Sequence, residues 1–180
     1  MANNELNEYV RLLERLDRIY KNFPNKAATL AVNFTKERFN AQNWVDSRTE
    51  PWKKRKVNKG SKRRQARKIL VDKARLLRSI RKVSVTENSA IIGTDVPYAK
   101  IHNEGGKFRG NVTVKEHTRK RGRRNSRSGR YQAGNIKVRS HTRKMRWNMP
   151  RRQFIGPSAV LDKRIERMMT ADITKVLKTL

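Results

Sequence analysis

Apolar side chains recur at every third or fourth position through the first forty residues, with charged side chains between them. One run extends from Leu6 to Tyr20 and a second from Ala28 to Phe39. This period is typical of amphipathic helices that bury one face. Because Pro24 lacks the amide hydrogen that a helix interior needs, the pattern predicts either an antiparallel helix pair or one long helix broken at Pro24.

The segment that follows is weakly patterned. Residues 40–52 are polar and irregular, with Trp44 and Trp52 as their only large apolar side chains. We therefore predict a loop anchored by two tryptophans. A helical period over residues 66–77 predicts a short helix.

Apolar and polar residues alternate in the middle of the chain. The alternation covers residues 79–85 and resumes over residues 90–94 after a polar turn, which predicts a β-hairpin with one buried face. Residues 97–103 predict a single helical turn that Gly105 and Gly106 end.

Two further strands are predicted, over residues 111–115 and 135–140. The segment 117–134 between them consists almost entirely of Arg, Lys, Ser, Gly and Asn. Its apolar area is too small to offset the entropy of ordering it, so we predict a mobile hairpin tip or arm.

The last segment has a clear helical period from Val160 to Leu177, and Pro157 and Ser158 are suited to the start of that helix. The elements together predict an α+β fold. Helices from both ends of the chain are expected to pack on a small antiparallel sheet.

The charge of the chain is unevenly distributed. The sequence has 46 Lys and Arg against 15 Asp and Glu, a net charge of +31. Segments 48–82 and 107–152 hold net +30 of it, which leaves the other 99 residues nearly neutral. We predict a single domain over residues 1–180, with a near-neutral frame and two long basic loops or arms at about 48–82 and 107–152.

Composition excludes several classes of protein. The absence of cysteine rules out disulfide scaffolds, thiolate zinc sites and cysteine nucleophiles. No apolar run approaches the roughly 18–20 residues of a membrane span, so no membrane partner is expected. The first residues lack the basic flank and apolar stretch of a signal peptide, which favours synthesis and retention in a cytoplasm.

The basic segments predict an acidic partner, because uncompensated repulsion on this scale destabilises a compact state. Two partners fit the pattern: phosphate groups of a nucleic acid, bound through counterion release, or an acidic protein surface. The candidate contact residues are Lys53, Lys54, Arg55, Lys56, Lys62, Arg63, Arg64, Arg119, Lys120, Arg121, Arg123, Arg124, Arg127 and Arg130.

Four aromatic residues flank these basic segments: Trp44, Trp52, Tyr131 and Trp147. Stacking on bases would give them a role in nucleic-acid binding. Anchoring loops on the frame is the commoner use of such side chains.

Catalytic chemistry has few candidates in this sequence. His102 with Glu104 is the one pair that fits acid–base catalysis or a metal site, and the alternative is that His102 packs against or caps the turn at Gly105. We find no paired carboxylates, phosphate-binding loop or serine elbow. We predict a protein that is not an enzyme and has no cofactor or metal.

Residues 98–106 read Tyr-Ala-x-Ile-His-x-x-Gly-Gly, and residues 150–156 read Pro-Arg-x-x-Phe-Ile-Gly. These motifs, in this order, resemble the phage virion morphogenesis family, the tail completion proteins of tailed bacteriophages. The resemblance covers about residues 30–178. Its landmarks in this sequence are Trp52, Leu77, Tyr98, His102, Gly105, Gly106, Pro150, Phe154 and Gly156.

The resemblance implies a structural virion protein that acts at the neck or tail and is assembled in the host cytoplasm. It implies a homo-oligomeric ring, taken as hexameric, whose partners are tail tube and head–tail connector proteins, with genomic DNA in the channel as a further partner. The alternative is a non-specific nucleic-acid-binding protein that uses its basic arms.

The sequence departs from the family pattern in two places. Members often have Thr-Gly where this chain has Lys73 and Ala74 before Arg75. If that glycine adopts a positive φ, an alanine at position 74 makes the same backbone conformation doubtful in this chain. The basic segment between Gly106 and Pro150 is also longer and more charged than the pattern requires.

Overall fold

The computed structural model describes residues 2–55, 67–124 and 131–178. The chain separates into two compact units. The first, which we call the frame, comprises Met1–Gly105 and Pro150–Leu180, and the second, the ribbon, comprises Gly106–Met149. Helices and antiparallel strands occur together, which confirms the α+β prediction.

The first helix, α1, spans Ala2–Ala41 without interruption. The predicted break at Pro24 and the alternative helix pair are both wrong. Proline removes one backbone hydrogen bond from a helix interior. Here Pro24 is buried and lines a cavity with Ala28 and Ile165, so packing offsets the loss.

A short hairpin follows α1, with β1 at Asn43–Val45 and β2 at Thr49–Pro51. The predicted loop therefore contains a small antiparallel pair. Its anchoring by tryptophans is confirmed, because Trp44 is 4% exposed and Trp52 is 6% exposed. Trp44 meets the ring of Phe34 edge to face at 5.7 Å.

The predicted helix over residues 66–77 is shorter and later than expected. Residue 66 lies outside the described residues, and residues 67–74 form turns and bends. The helix α2 spans only Arg75–Ser79, after a left-handed Ala74 with φ 54°. Leu70 also has a positive φ of 62°, and two such positions interrupt a regular helix.

The middle of the frame matches its predicted elements. Strands β3 at Arg81–Val85 and β4 at Ala90–Gly93 form the expected antiparallel hairpin. The helical turn is α3 at Ala99–Glu104, and Gly105 ends it with φ 75° while its N–H donates to the oxygen of Ile101.

The last helix, α4, spans Ala159–Leu177, as predicted. The Ser158 hydroxyl accepts the Leu161 N–H at 3.2 Å and donates to the Val45 oxygen at 2.7 Å. Because this one side chain caps α4 and also contacts β1, the helix start is fixed to the first hairpin. Ion pairs of Asp172 with Lys26 and Arg164 with Glu37 set α4 antiparallel to α1.

The core of the frame lies where distant segments meet around Phe39, which is completely buried. Its ring contacts Trp52 at 5.4 Å and Phe154 at 5.0 Å. Leu76 and Ile80 complete this cluster with Val96, Ala99 and Val32. Phe154, one of the landmarks of the resemblance, is 1% exposed and packs in this core.

The ribbon has four strands: β5 at Gly106–Val114, β6 at His117–Arg124, β7 at Tyr131–Val138 and β8 at His141–Met149. Strand β5 pairs with β8 and β6 with β7, both antiparallel. In both strand pairs, the two residues of each couple lie equally far along the sequence from the same point, between positions 127 and 128. The four strands therefore follow one hairpin register.

The prediction of a mobile arm over residues 117–134 is wrong for the described residues of that segment, which lie in β6 and β7. The strands extend well beyond residues 111–115 and 135–140, and residues 117–124, expected in a mobile tip, form β6. Residues 125–130 lie outside the described part of the chain. Cross-strand backbone hydrogen bonds supply the order that the apolar content of the sequence did not predict.

Candidate interaction site

The ribbon has two chemically different faces, because side chains alternate sides along each strand. Phe108 lies opposite Trp147 in the register, and their rings stack with centroids 5.5 Å apart. Both rings are more than a third exposed. By alternation the same face carries Gly110, Val112, Val114, Met145 and Met149, and at its far end His141 and Arg143.

Gly110 allows the aromatic pair to lie close to the backbone of β5. A Cβ atom at this position would meet Phe108 Cζ at 3.0 Å, which is tighter than ordinary contact. The absence of a side chain there lets the Phe108 ring cover the strand.

The opposite face of the ribbon is cationic. Lys107 and Arg109 on β5 share it with Lys144 and Arg146 on β8, and all four are exposed. The ribbon as a whole has fifteen basic residues and one acidic residue, Glu116. A row of exposed cations with so little internal compensation is suited to binding carboxylates or phosphates.

Glu116 is itself engaged, because its carboxylate pairs with Lys137 at 2.9 Å. The exposed histidines beside it are alike: His117 Nδ1 lies 2.9 Å from the Lys115 oxygen, and His141 Nδ1 lies 3.0 Å from the Arg139 oxygen. Each ring therefore lies against the backbone two residues before it, in the turn that precedes its strand.

The predicted contact residues fall into two groups, one in each unit. Lys53, Lys54 and Arg55 are in the frame, and Arg119 is exposed on β6 of the ribbon. The backbone of Lys120, Arg121, Arg123 and Arg124 also belongs to β6. Outside the described residues lie Lys56, Lys62, Arg63, Arg64, Arg127 and Arg130.

Arg55 has a structural use as well as its charge. Its guanidinium donates to the backbone oxygens of Arg67 at 3.3 Å and Lys68 at 3.0 Å. It thereby holds together the two sides of the described frame that flank residues 56–66. Lys53 and Lys54 remain as exposed cations beside it.

The chain leaves the frame at Gly105 and returns at Pro150, and a buried network joins the segments next to these two points. The Arg152 N–H donates to the His102 oxygen at 2.9 Å. Asn103 Oδ1 accepts the N–H groups of Phe154 at 2.9 Å and Ile155 at 3.0 Å. One amide side chain thus satisfies two backbone donors.

Arg152 extends this network to the first hairpin. Its Nε donates to the Lys53 oxygen at 3.1 Å, and the residue is 7% exposed. Burial, reinforced by the nearby charge of Arg55, lowers the pKa of Arg152. A buried arginine held by backbone oxygens is an anchor for the chain, in contrast to the exposed cations of the ribbon.

His102 is half-buried in this network and is in edge contact with Tyr98 at 5.8 Å. Burial, with the charge of Arg152 as a second cause, lowers the pKa of His102. Its Nδ1 is buried without a hydrogen-bond partner, and Glu104 is exposed. These contacts support the packing interpretation over acid–base chemistry.

Two other family landmarks have clear local reasons. Gly156 has φ 157°, and a Cβ atom there would overlap Gln153 Nε2. Leu77 is half-buried against the core cluster of Phe39. The structure therefore uses these landmarks to pack the frame.

Sequence reasoning missed several of these residues. The ribbon cations Lys107, Arg109, Lys144 and Arg146 were not among the candidates, although the strict alternation of residues 106–114 carries the signal. Asn103 was also missed, because its two bonds join positions 51 and 52 residues apart and no local pattern marks them.

The described part of the chain lacks two kinds of feature. None of its helices is long and apolar enough to cross a membrane. Among the residues whose placement the structure gives, no group of three or more His, Cys, Asp and Glu is arranged to hold a metal ion.

Comparison with known proteins identifies relatives of this chain. The family model described as the phage virion morphogenesis family matches residues 4–174. A protein of Haemophilus influenzae named Mu-like prophage FluMu G protein 2 is 32% identical over 108 residues, which are 59% of this chain and 72% of the relative. No solved structure matches. The chain therefore belongs to the phage virion morphogenesis family.

Proposed function

We propose that this protein is a tail completion subunit that forms a ring at the neck or upper tail and helps join the tail to the head. Its family gives it a structural role in virion assembly. The observation that carries the finer proposal is the ribbon, which has fifteen basic residues and one acid and is built on two antiparallel strand pairs. An isolated two-stranded hairpin is marginally stable in water, so a bound partner would stabilise it.

The proposed mechanism is non-catalytic. Copies of the frame close a ring through head-to-tail contacts, which form closed assemblies when the rotation between neighbours closes. We take the ring as hexameric from the family resemblance. Tail tube and head–tail connector proteins are its proposed neighbours, and assembly takes place in the host cytoplasm.

The ribbon would bind an acidic surface on one of these neighbours. Lys107, Arg109, Lys144 and Arg146 supply the cations on one face, and such charges raise the rate of docking and select against basic surfaces. On the other face, Phe108 and Trp147 offer exposed aromatic area of the kind enriched at protein interfaces.

A second candidate function, nucleic-acid binding, is favoured by the geometry of the cationic face. Same-face residues on a strand, such as Lys107 and Arg109, are about 6.8 Å apart. Two phosphate steps along one strand of duplex DNA rise by about the same distance. A two-stranded ribbon also fits the major groove, and this DNA would be the genome in the channel.

A pair of variants with equal charge separates the candidates. The ribbon variant replaces Lys107, Arg109, Lys144 and Arg146 by Gln, and the control replaces the exposed frame residues Lys163, Arg167, Lys175 and Lys178 by Gln. Each is supplied to a phage that lacks this gene, and completed particles are counted. The virion proposal expects the control to restore particles and the ribbon variant to fail.

Binding of the same proteins to random duplex DNA is measured over a salt series, with mass by light scattering. A ring-sized species with weak DNA binding supports the virion role. A steep fall of affinity with salt that the ribbon variant loses and the control keeps supports the nucleic-acid role. A protein that binds DNA tightly as a monomer and does not self-associate contradicts the proposed ring.

A further inference from the structure

The first five turns of α1 carry an exposed apolar stripe. Leu6, Tyr9, Val10, Leu13 and Tyr20 are each between 46% and 65% exposed. At about 100° of rotation per residue these five side chains fall within an arc of roughly 100°. Their combined exposed area is on the order of several hundred Å², a size that marks interaction surfaces on soluble proteins.

A neighbouring arc of the same helix serves the frame itself. Leu12, Leu16, Ile19 and Phe23 are half-buried, and Phe23 lines the cavity that α1 shares with Ile165 of α4. The helix therefore has one apolar arc toward its own chain and a second arc whose side chains are exposed. Within the second arc, the Tyr20 hydroxyl donates to Asn88 Oδ1 at 3.3 Å.

The charge of this segment identifies the occupant. Residues 2–22 have four acidic and four basic side chains, so the segment is neutral within a chain of net charge +31. A strongly acidic partner finds no excess of cations here. A second copy of the chain, which is repelled by the basic segments, can approach this stripe without local repulsion.

The order of the charges identifies the orientation. On the N-terminal side of Leu13 the segment has Glu5, Glu8 and Arg11, a net charge of −1. On the C-terminal side it has a net charge of +1, from Arg15, Arg18 and Lys21 against Glu14 and Asp17. An antiparallel pair centred on Leu13 places Glu5 opposite Lys21 and Glu8 opposite Arg18 of the other copy. Antiparallel helices place the acidic half of one copy beside the basic half of the other, whereas parallel helices place like charges together.

We propose that two copies of this chain pair antiparallel through the stripe on α1, with the two-fold axis near Leu13. This contact is isologous, so it is separate from the head-to-tail contact of the proposed ring. Because the remaining charges of the two copies repel, pairing should become tighter as salt increases.

Single cysteines test the geometry, since the natural chain has none. Leu13→Cys should form a disulfide-linked dimer on mild oxidation, because the two copies meet there. Leu6→Cys alone should not, since antiparallel copies hold the two positions about 21 Å apart, well beyond disulfide reach. A mixture of Leu6→Cys and Tyr20→Cys should give a cross-linked heterodimer.

Leu13→Asp tests the apolar contact, with Ile91→Asp on β4 as a matched control that is 58% exposed. Leu13→Asp should raise the dissociation constant of the pair by at least about tenfold, while Ile91→Asp leaves it unchanged. Sedimentation at several concentrations gives both values.

Disulfide formation by Leu6→Cys alone, or equal effects of the two aspartates, overturns the proposal. Particle completion is scored separately, so a failed pairing with normal particle yield leaves the virion role standing. A normal pair with no rescue of particles counts against the virion role alone.

Discussion

The indole nitrogen of Trp52 donates a 2.7 Å hydrogen bond to the backbone oxygen of Gln153, 101 positions further along the chain. The indole is 6% exposed and meets Phe39 edge to face. This bond joins the segment after the first hairpin to the segment that follows the ribbon. Because both partners are buried, loss of the donor leaves an oxygen without its hydrogen bond.

Trp52→Phe should therefore destabilise the frame. The smaller ring leaves a cavity and an unsatisfied Gln153 oxygen, for which we expect a loss of about 2–4 kcal/mol in the free energy of unfolding. Chemical denaturation measures it. Trp147→Phe, at a residue 39% exposed, is the control and should change the same quantity by less than about 1 kcal/mol. Equal losses of unfolding free energy in the two variants would show that the hydrogen bond from the Trp52 indole does not stabilise the frame.

Asn103→Ala should also lower stability, because the N–H groups of Phe154 and Ile155 lose their shared acceptor. Two unsatisfied donors correspond to about 2–4 kcal/mol. Asn103→Asp keeps an acceptor oxygen and should lose less. Asn111→Ala, at an exposed position of β5, should stay within about 0.5 kcal/mol of wild type. If Asn103→Ala is equally mild, another group satisfies the two donors.

The free energy of unfolding should decrease as the pH is lowered, because of His102. Burial and Arg152 hold its pKa in the folded protein below the ordinary 6.5. The unfolded chain then binds more protons as pH drops through 6.5, so this contribution to stability is present above that pH and decreases below it. The loss of stability stops once the pH is below the pKa of His102 in the folded protein.

Denaturation midpoints of wild type and His102→Gln between pH 7.5 and 5.5 measure this effect. The variant should lose part of the slope, which for one proton cannot exceed about 1.4 kcal/mol per pH unit. A slope that is unchanged in His102→Gln would assign the pH dependence to other groups.

The frame was largely predictable because its elements have strong local patterns. The hairpin β3–β4, the turn that Gly105 ends and the helix that Ser158 caps all occur where the sequence predicts them. Pro24 was misjudged because local propensity predicts a break, whereas burial of this residue against α4 and the β3–β4 hairpin maintains the helix.

The ribbon was harder to predict for a physical reason. Cations alternate with apolar residues in β5, but in β8 the segment His141–Met149 has cations on both faces before Met145, so the period is obscured. Its order comes from cross-strand backbone bonds, which composition does not encode. The same limit applies to Arg152, whose partners Lys53 and His102 are distant in sequence.

Ala74 offers a test of backbone strain, because it is an alanine with a positive φ. Its φ of 54° and ψ of 16° are left-handed, so the chain keeps a geometry that costs a residue with a Cβ atom about 1–2 kcal/mol. Ala74→Gly removes this strain but adds entropy to the unfolded chain, so we expect a net gain of about 0.5–1 kcal/mol in the free energy of unfolding.

Ala99→Gly is the matched control for that substitution, because Ala99 is 7% exposed within the regular helix α3. There the loss of the methyl group should destabilise by about 1 kcal/mol or more. Chemical denaturation of both variants, compared at equal m-values, measures the contrast in sign. A loss of stability in Ala74→Gly would mean that contacts of the Ala74 methyl group outweigh the strain of its left-handed backbone.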